Sequence, residues 1–253
     1  MKTDTANKIL NFIKQNRQAT PKEIINFIGF SAPAVFRQLK KMTLKGLIQK
    51  TGTPPKVFYY LPMDKKVLMT QEVFAWLQST QPATLNIDQL YCSTRDVFEA
   101  RNQRVAKLLI DSGKDDSFSY LLSAVIGELG NNSFDHNIAN WPDVPGVYFR
   151  IDTEARFVII ADRGRGVRAT LQNIRPDINS DLSALRVAFT EVISGRSPEQ
   201  RGNGLKFVRN SILNLELDFK FYSGNAAYSI TNKTENFVQT ENSIRGTITL
   251  ISF

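Results

Sequence analysis

Four polar side chains near the middle of the chain carry groups that can do chemistry: Glu128, Asn132, Asp135 and His136. Their spacing of i, i+4, i+7 and i+8 puts them on one side of a helix. A carboxylate can serve as a base, and an amide oxygen suits a hard cation such as Mg2+ that keeps several waters. The helix that must position them runs from Ser117 to His136. Phe118, Leu121, Leu122, Val125, Ile126 and Leu129 recur along it at three- and four-residue intervals, the stripe of a buried helix. The polar group lies along the edge of that stripe, and a carboxylate held where burial should continue needs a partner. Two readings stay open on this helix alone: a capped, solvated helix end, or a site for Mg2+ with its phosphates.

Three glycine motifs follow. Asp162-Arg-Gly-Arg-Gly166 stands at the end of an apolar strand, Phe157 to Ala161. Arg201-Gly-Asn-Gly-Leu205 opens a helix expected over 205–215, and Arg245-Gly-Thr247 begins a last strand over 247–253. Glycine pairs of this kind are common turns when met singly. Together, in this order and after the helix, they resemble the Bergerat ATP-binding fold. That GHKL family holds DNA gyrases, heat-shock chaperones, sensor histidine kinases, mismatch-repair ATPases and anti-sigma serine kinases. The resemblance covers roughly residues 117–253 and all four of the family's boxes.

The resemblance implies an α/β sandwich that binds ATP with Mg2+, and it assigns roles residue by residue. Asn132 matches the metal-binding asparagine. Glu128 matches the general base of the hydrolysing members, with Asp135 supporting it from behind. Asp162 matches the carboxylate that accepts the adenine amino hydrogen bond, and Thr247 the hydroxyl that reaches adenine through water. Gly164 and Gly166 let the backbone approach the base. Gly202 and Gly204, followed by Leu205, present backbone N–H groups to the phosphates at a helix N-terminus. Between Gly166 and Gly202 lies the usual lid, here with a helix expected over 182–193. Arg196, Arg201 and Lys206 each either reach the phosphates or belong to a solvated loop.

His136, the chain's single histidine, is expected to line the site or to hydrogen-bond Asp135 or Glu128. No phosphoaccepting histidine stands on a separate helix, so orthodox histidine kinase activity is not expected. The sequence also ends at Phe253 without the following domain that supplies a phosphate-contacting lysine in gyrase-like members. Hydrolysis is therefore expected to be slow, with the site serving as a nucleotide sensor.

Charge is unevenly spread over the 253 residues. Residues 1–66 hold 13 Lys and Arg against 3 Asp and Glu, whereas the remaining 187 hold 19 against 21. A basic module joined to a near-neutral one points to a polyanion partner for the first. Thr3 to Asn16 has helical spacing, with Ile9, Leu10, Phe12 and Ile13 inward. Thr20, Pro21 and Glu23 start a second helix that ends at Gly29. Ser31 caps a third, Ala32 to Lys45, expected to bury Val35, Leu39 and Leu44. Residues 47–50 and 57–61 then form strands about a Gly-Pro turn.

This order resembles the winged helix-turn-helix of bacterial transcription regulators. It implies double-stranded DNA as partner, with Ser31 and Ala32 at base edges and Arg37, Lys40 and Lys41 on the same helix. Lys50 and Lys56 on the wing would meet phosphates. A winged helix that docks a protein is the competing reading, and the concentrated positive charge argues against it.

The expected organisation is thus α+β: a winged helix domain over 1–66, a helical linker over 67–116 and a Bergerat ATP-binding domain over 117–253. Within the linker, 70–79 is expected as a short helix, 81–85 as loop and 93–110 as one helix burying Val97, Phe98, Val105, Leu108 and Leu109. Its arginines, Arg95, Arg101 and Arg104, are expected on a solvated face. A single cysteine, Cys92, excludes an internal disulfide framework and a cysteine-based zinc site. With no apolar run near the roughly 20 residues of a membrane span and no secretory leader, a cytoplasmic protein without membrane partners is expected.

Two functions fit. One is a DNA-binding regulator controlled by ATP binding or slow hydrolysis. The other is an anti-sigma-like serine/threonine kinase that uses its winged helix for partner docking. A homodimer and a protein partner stay open.

Overall fold

Short helices with strong end signals build the N-terminal part of the protein. The computed structural model describes residues 2–80, 90–137, 139–191 and 203–253, and the chain divides into two units, Met1–Val67 and Leu68–Phe253. The first unit runs α1 (Lys2–Asn16), β1 (Gln18–Ala19), α2 (Pro21–Ile28), α3 (Ala32–Leu44), β2 (Gln49–Thr51) and β3 (Phe58–Tyr60). Its strands form an antiparallel sheet in the order β1-β3-β2.

Thr20 and Glu23 make a reciprocal cap at the start of α2. Thr20 Oγ accepts from Glu23 N at 3.3 Å, and the Glu23 carboxylate accepts from Thr20 N at 2.7 Å. Gly29 closes the helix in a left-handed conformation. Ile9, Ile13, Ile24, Val35, Leu39, Met42 and Ile48 form the core. Leu44, expected inside, is 80% exposed, and Met42 takes its place. The reason is phase: Met42 lies three residues beyond Leu39 and continues the buried face, whereas Leu44 falls off it.

In the second unit, α4 (Lys65–Gln78), β4 (Tyr91–Cys92), α5 (Arg95–Asn102) and α6 (Val105–Asp111) precede α7 (Asp116–Asn137). Then come β5 (Val147–Asp152), β6 (Phe157–Asp162), α8 (Gly166–Leu171), α9 (Asp181–Thr190), α10 (Gly204–Asn214), β7 (Asp218–Thr231) and β8 (Thr234–Ser252). The five strands pair antiparallel in the order β4-β5-β6-β8-β7.

Alternation along β6 shows how the layers form. Val158 and Ile160 point into a core shared with α5, α6, α7, α9 and α10. Phe157, Ile159 and Ala161 point the other way, onto Met69, Val73, Trp76 and Leu77 of α4. All six residues of β6 are buried, as a strand covered on both faces requires.

Residues 67–116 are therefore not a linker in this fold. From Leu68 on they belong to the second unit: α4 covers one sheet face, β4 adds an edge strand, and α5 and α6 pack against α7. The helix expected over 93–110 breaks between α5 and α6, which leaves Val97 and Leu108 at 38% and 46% exposure while Phe98, Val105 and Leu109 stay buried. Arg95 is not merely solvated, since it pairs with Asp135. Residues 81–85 lie outside the described residues.

The last strand extends far beyond the expected 247–253. β7 and β8 form a ribbon of 14 and 19 residues joined at Asn232 and Lys233, both with positive φ. Its tip is polar and exposed along much of β8, so it lacks the apolar run that marks a strand in a sequence.

Tight packing concentrates where α5 crosses α7. A methyl group on Gly130 would strike the ring of Phe98, which sits edge-on to Phe149 at 5.4 Å. Gly130→Ala should therefore destabilise the second unit by about 1–3 kcal/mol. The measurement is a urea melt, with a lower midpoint and an unchanged slope expected for that unit.

Candidate functional site

The end of β6 carries a buried carboxylate. Asp162 is 1% exposed and pairs across the ladder with Thr247 of β8. Ser133 Oγ, from α7, donates to Oδ2 at 2.9 Å, and Gly164 N donates to Oδ1 at 2.8 Å. The Thr247 hydroxyl also donates to Oδ2. Burial raises the pKa of this carboxyl above its ordinary value, against the pull of Thr247, Gly164 and Ser133 in the other direction.

A pocket opens beside it. Leu129, Val167, Leu171, Ala188, Leu205 and Phe221 form its apolar walls. Asn132, Ser133, His136, Asn137 and Thr170 add polar groups, with Asp162 and Thr247 beside them. Apolar walls with a few convergent polar groups are the usual make-up of a small-molecule site.

The pocket floor depends on the loop after β6. Asn137 donates from Nδ2 to Ser133 O at 2.8 Å and accepts on Oδ1 from Arg165 N at 2.9 Å, with its amide packed over Gly164. Gly166 has a φ of 78°, and a side chain there would press on Ser223 Oγ, which accepts from Val167 N at 2.9 Å.

The structure brings Asn132, His136, Asp162, Gly166, Leu205 and Thr247 to one pocket. Glu128 stands over Gly204 at the start of α10, one turn of α7 away from Asn132. Lys206 follows on α10, its ammonium held below the usual pKa by burial, with Glu191 opposing the shift. Gly164 lines a neighbouring cavity with Gly166.

Asp135 lies on the exposed side of α7, pairs with Arg95 and does not line the pocket. Its shared helix face with Asn132 is too wide to aim both side chains inward. His136 keeps solvent contact, yet its imidazole is held below its ordinary pKa, by desolvation first, with Arg165 adding to the shift and Asp135 opposing it. Arg196, Arg201 and Gly202 lie outside the described residues.

Ser133 and Asn137 are the site residues that the sequence reading missed. They had a signal: Leu122, Ile126, Leu129, Ser133 and Asn137 are all buried at three- and four-residue steps, so the apolar stripe itself turns polar at its last two positions. Arg163 had none. It is 1% exposed, holds Asp143 at 2.6 Å and donates to Ser79 O at 2.7 Å and to Trp76 O.

In the first unit, Ser31, Ala32, Arg37, Lys40 and Lys41 of the α3 face are exposed, as are Lys50 and Lys56 on the wing. Ser31 makes no side-chain cap bond, so its hydroxyl is not committed to the helix end. Phe36 stands among them at 47% exposure, apolar and unmentioned by the charge pattern.

Asp162 makes a pH prediction. A carboxyl whose folded pKa is raised contributes stability below its unfolded value, near 3.8, and loses it as pH rises through the folded value. Asp162→Asn removes that loss, because the hydroxyls of Ser133 and Thr247 can turn to accept from the amide. The second unit of the variant should gain stability over the wild type as pH is raised from about 4 to neutrality. Urea melts at several pH values check the trend, and a constant difference would refute it.

Among the described residues no helix is long and apolar enough to cross a membrane, and no group of three or more His, Cys, Asp or Glu could hold a metal ion. No curated protein matches the chain. Residues 2–49 match the family model described as winged helix-turn-helix DNA-binding. The three helices, the antiparallel wing and this match agree, and the first unit carries a winged helix-turn-helix module of DNA-binding type.

Proposed function

We propose that the protein is a DNA-binding transcription regulator whose second unit is a GHKL-type domain that binds ATP with Mg2+ and controls the winged helix. The observation that carries this reading is the buried Asp162 at the base of an apolar pocket whose other wall is the helix of Glu128 and Asn132. The residues present fit the ligand. Leu129, Val167, Leu171 and Phe221 suit a flat base, and Asp162 offers an acceptor to an exocyclic amino group. Ser133 and Thr247 can both donate and accept, so they can share the acid with an incoming base or with water.

Asn132 would hold Mg2+ through its amide oxygen, the remaining positions falling to phosphate and water. Bound Mg2+ would neutralise phosphate charge. Glu128, set over Gly204 at the first turn of α10, would take a proton from an attacking water. Thr170 Oγ donates to Gly166 O at 3.0 Å, one turn back in α8.

Asp162→Asn tests the site. It presents an NH2 group where the amino group of adenine needs an acceptor. Loss of a charge-assisted bond costs about 1.5–3 kcal/mol, so ATP affinity should fall at least tenfold by calorimetric titration. Unchanged affinity in the folded variant removes Asp162 from nucleotide binding. Glu128→Ala should retain ATP–Mg2+ and lower any phosphate release by ~10²–10⁴.

Control of the winged helix is tested separately. Affinity for a selected duplex is measured with and without a non-hydrolysable ATP analogue at fixed salt, because phosphate contacts make DNA binding steeply salt-dependent. The analogue should change DNA affinity, and DNA should change analogue affinity by the same factor. Equal DNA affinity in both conditions means that the two units act independently. Transfer of label from ATP to another protein would instead favour the kinase reading.

A further inference from the structure

Phe36 is the single aromatic residue of α3, and it turns away from the core at 47% exposure. Val35, Leu39 and Met42 make the buried face of the helix. Phe36 belongs neither to the cluster they join nor to the side chains packed against it. Phe27 is similarly exposed, but its ring stacks on Phe12 with centroids 4.3 Å apart. Among the described residues Phe36 makes no such ring contact.

Isolated exposed apolar residues are ordinary on a protein surface, so the weight lies in where this one stands. The other exposed positions from residue 32 to residue 41 are Ala32, Pro33, Arg37, Lys40 and Lys41. Ala32 and Lys40 lie one turn before and one turn after Phe36, so the three form a column along the helix. A patch for docking a protein would carry further apolar side chains in that column; an alanine and a cation stand there instead. A lone ring among positive charges suits a polyanion that itself carries isolated apolar groups. Duplex DNA is one, because the 5-methyl of thymine is the apolar group that base edges show in the major groove. Hydrogen-bonding readout pairs arginine or lysine with guanine, amides with adenine and carboxylates with cytosine. α3 has no carboxylate, and its one amide, Gln38, is half-buried.

We propose that Phe36 is a specificity-determining residue of the winged helix, its ring packing on the 5-methyl group of a thymine in the major groove. This rests on the DNA-binding reading of the first unit and names a base that it selects. Lys40 and Lys41 meet phosphates and bind the duplex whether or not that methyl is present.

The test starts from a duplex selected by the full chain from a random-sequence pool. Each thymine of the selected site is replaced in turn by uracil, which lacks only the 5-methyl group, at fixed salt. At one thymine per bound winged helix, uracil should weaken binding about fourfold, the worth of one methyl group removed from water. Phe36→Ala should bind the thymine and uracil duplexes alike, and Phe36→Leu, which keeps an apolar contact, should retain part of the difference. Lys41→Ala should weaken both by the same factor, because a phosphate contact does not sense the methyl. The thymine–uracil comparison needs no variant, so it stands even where the alanine protein fails to fold. A selected site without thymine, or no loss with uracil at any position, overturns the proposal and leaves DNA binding intact. So does a loss that persists undiminished in folded Phe36→Ala. Tighter, methyl-independent binding to single strands means that the ring stacks on unpaired bases, and it overturns the proposal equally. Absence of saturable duplex binding overturns the DNA-binding reading and the proposal with it.

Discussion

One buried carboxylate sets the terms for the second unit. An ionised group removed from water is costly unless it is hydrogen-bonded, and Asp162 finds its donors on three different segments: Ser133 on α7, Gly164 in the following loop and Thr247 on β8. Those bonds fix more than the acid. The pairing of Asp162 with Thr247 requires the β6–β8 register as it stands, because a slip by one residue would carry the threonine hydroxyl to the opposite sheet face. The bond to Ser133 fixes the rotation of α7 about its axis, and with it the direction of Asn132 and His136. Position of the candidate site is thus a consequence of satisfying a single group.

The next residue does the reverse work. Arg163 is as buried as Asp162, but it reaches toward α4, where it caps the carbonyls of Trp76 and Ser79 and binds Asp143. Burial pushes the Asp143 carboxyl up, and the bonds from Arg163 and Val144 with the charges of Arg163 and Arg245 outweigh it, so its pKa lies below the ordinary value. A charge pair of this kind adds little net stability against an apolar alternative, but removing one partner alone is severe. The Asp-Arg-Gly-Arg-Gly run therefore joins both faces of the sheet at one point. Its first residue faces the pocket, its second fastens α4, and its fourth enters the neighbouring cavity.

What could be read in the sequence follows from where the information sits. Helices with local signals were legible: Thr20 with Glu23, Pro21 and Gly29 mark α2 within a residue, and α7 announces itself by period. The mixture of helices and strands in an α+β chain was also legible, though not the antiparallel pairing of its strands. Long-range satisfaction was not. Nothing near Arg163 in sequence says that Asp143 and the end of α4 will meet it, and nothing near Asp135 says that Arg95 will draw it outward. α4 shows the same limit. Its apolar residues read as a short amphipathic helix, and only the alternation of β6 reveals that a whole sheet face needs them. Ser133 and Asn137 were readable in principle, as polar residues in register with a buried stripe, but attention to the charged edge hid them.

The first unit divides its labour by chemistry. Arg37, Lys40 and Lys41 on α3, with Lys50 and Lys56 on the wing, present exposed positive charge, which on the proposed DNA-binding reading would supply affinity for any duplex by releasing counterions. Such contacts fix orientation but carry no sequence information. Selectivity must come from groups that can meet base edges, and on α3 these are fewer. Ser31 has an uncommitted hydroxyl at the helix start, and Ala32 beside it allows close approach. Phe36 places an exposed ring between Ala32 and Arg37, where contact with a thymine methyl is the interaction available to an apolar side chain in the major groove. On the proposed DNA-binding reading, the charge asymmetry that first marked this unit would set how strongly it holds DNA, and the uncharged residues of one helix which DNA it holds.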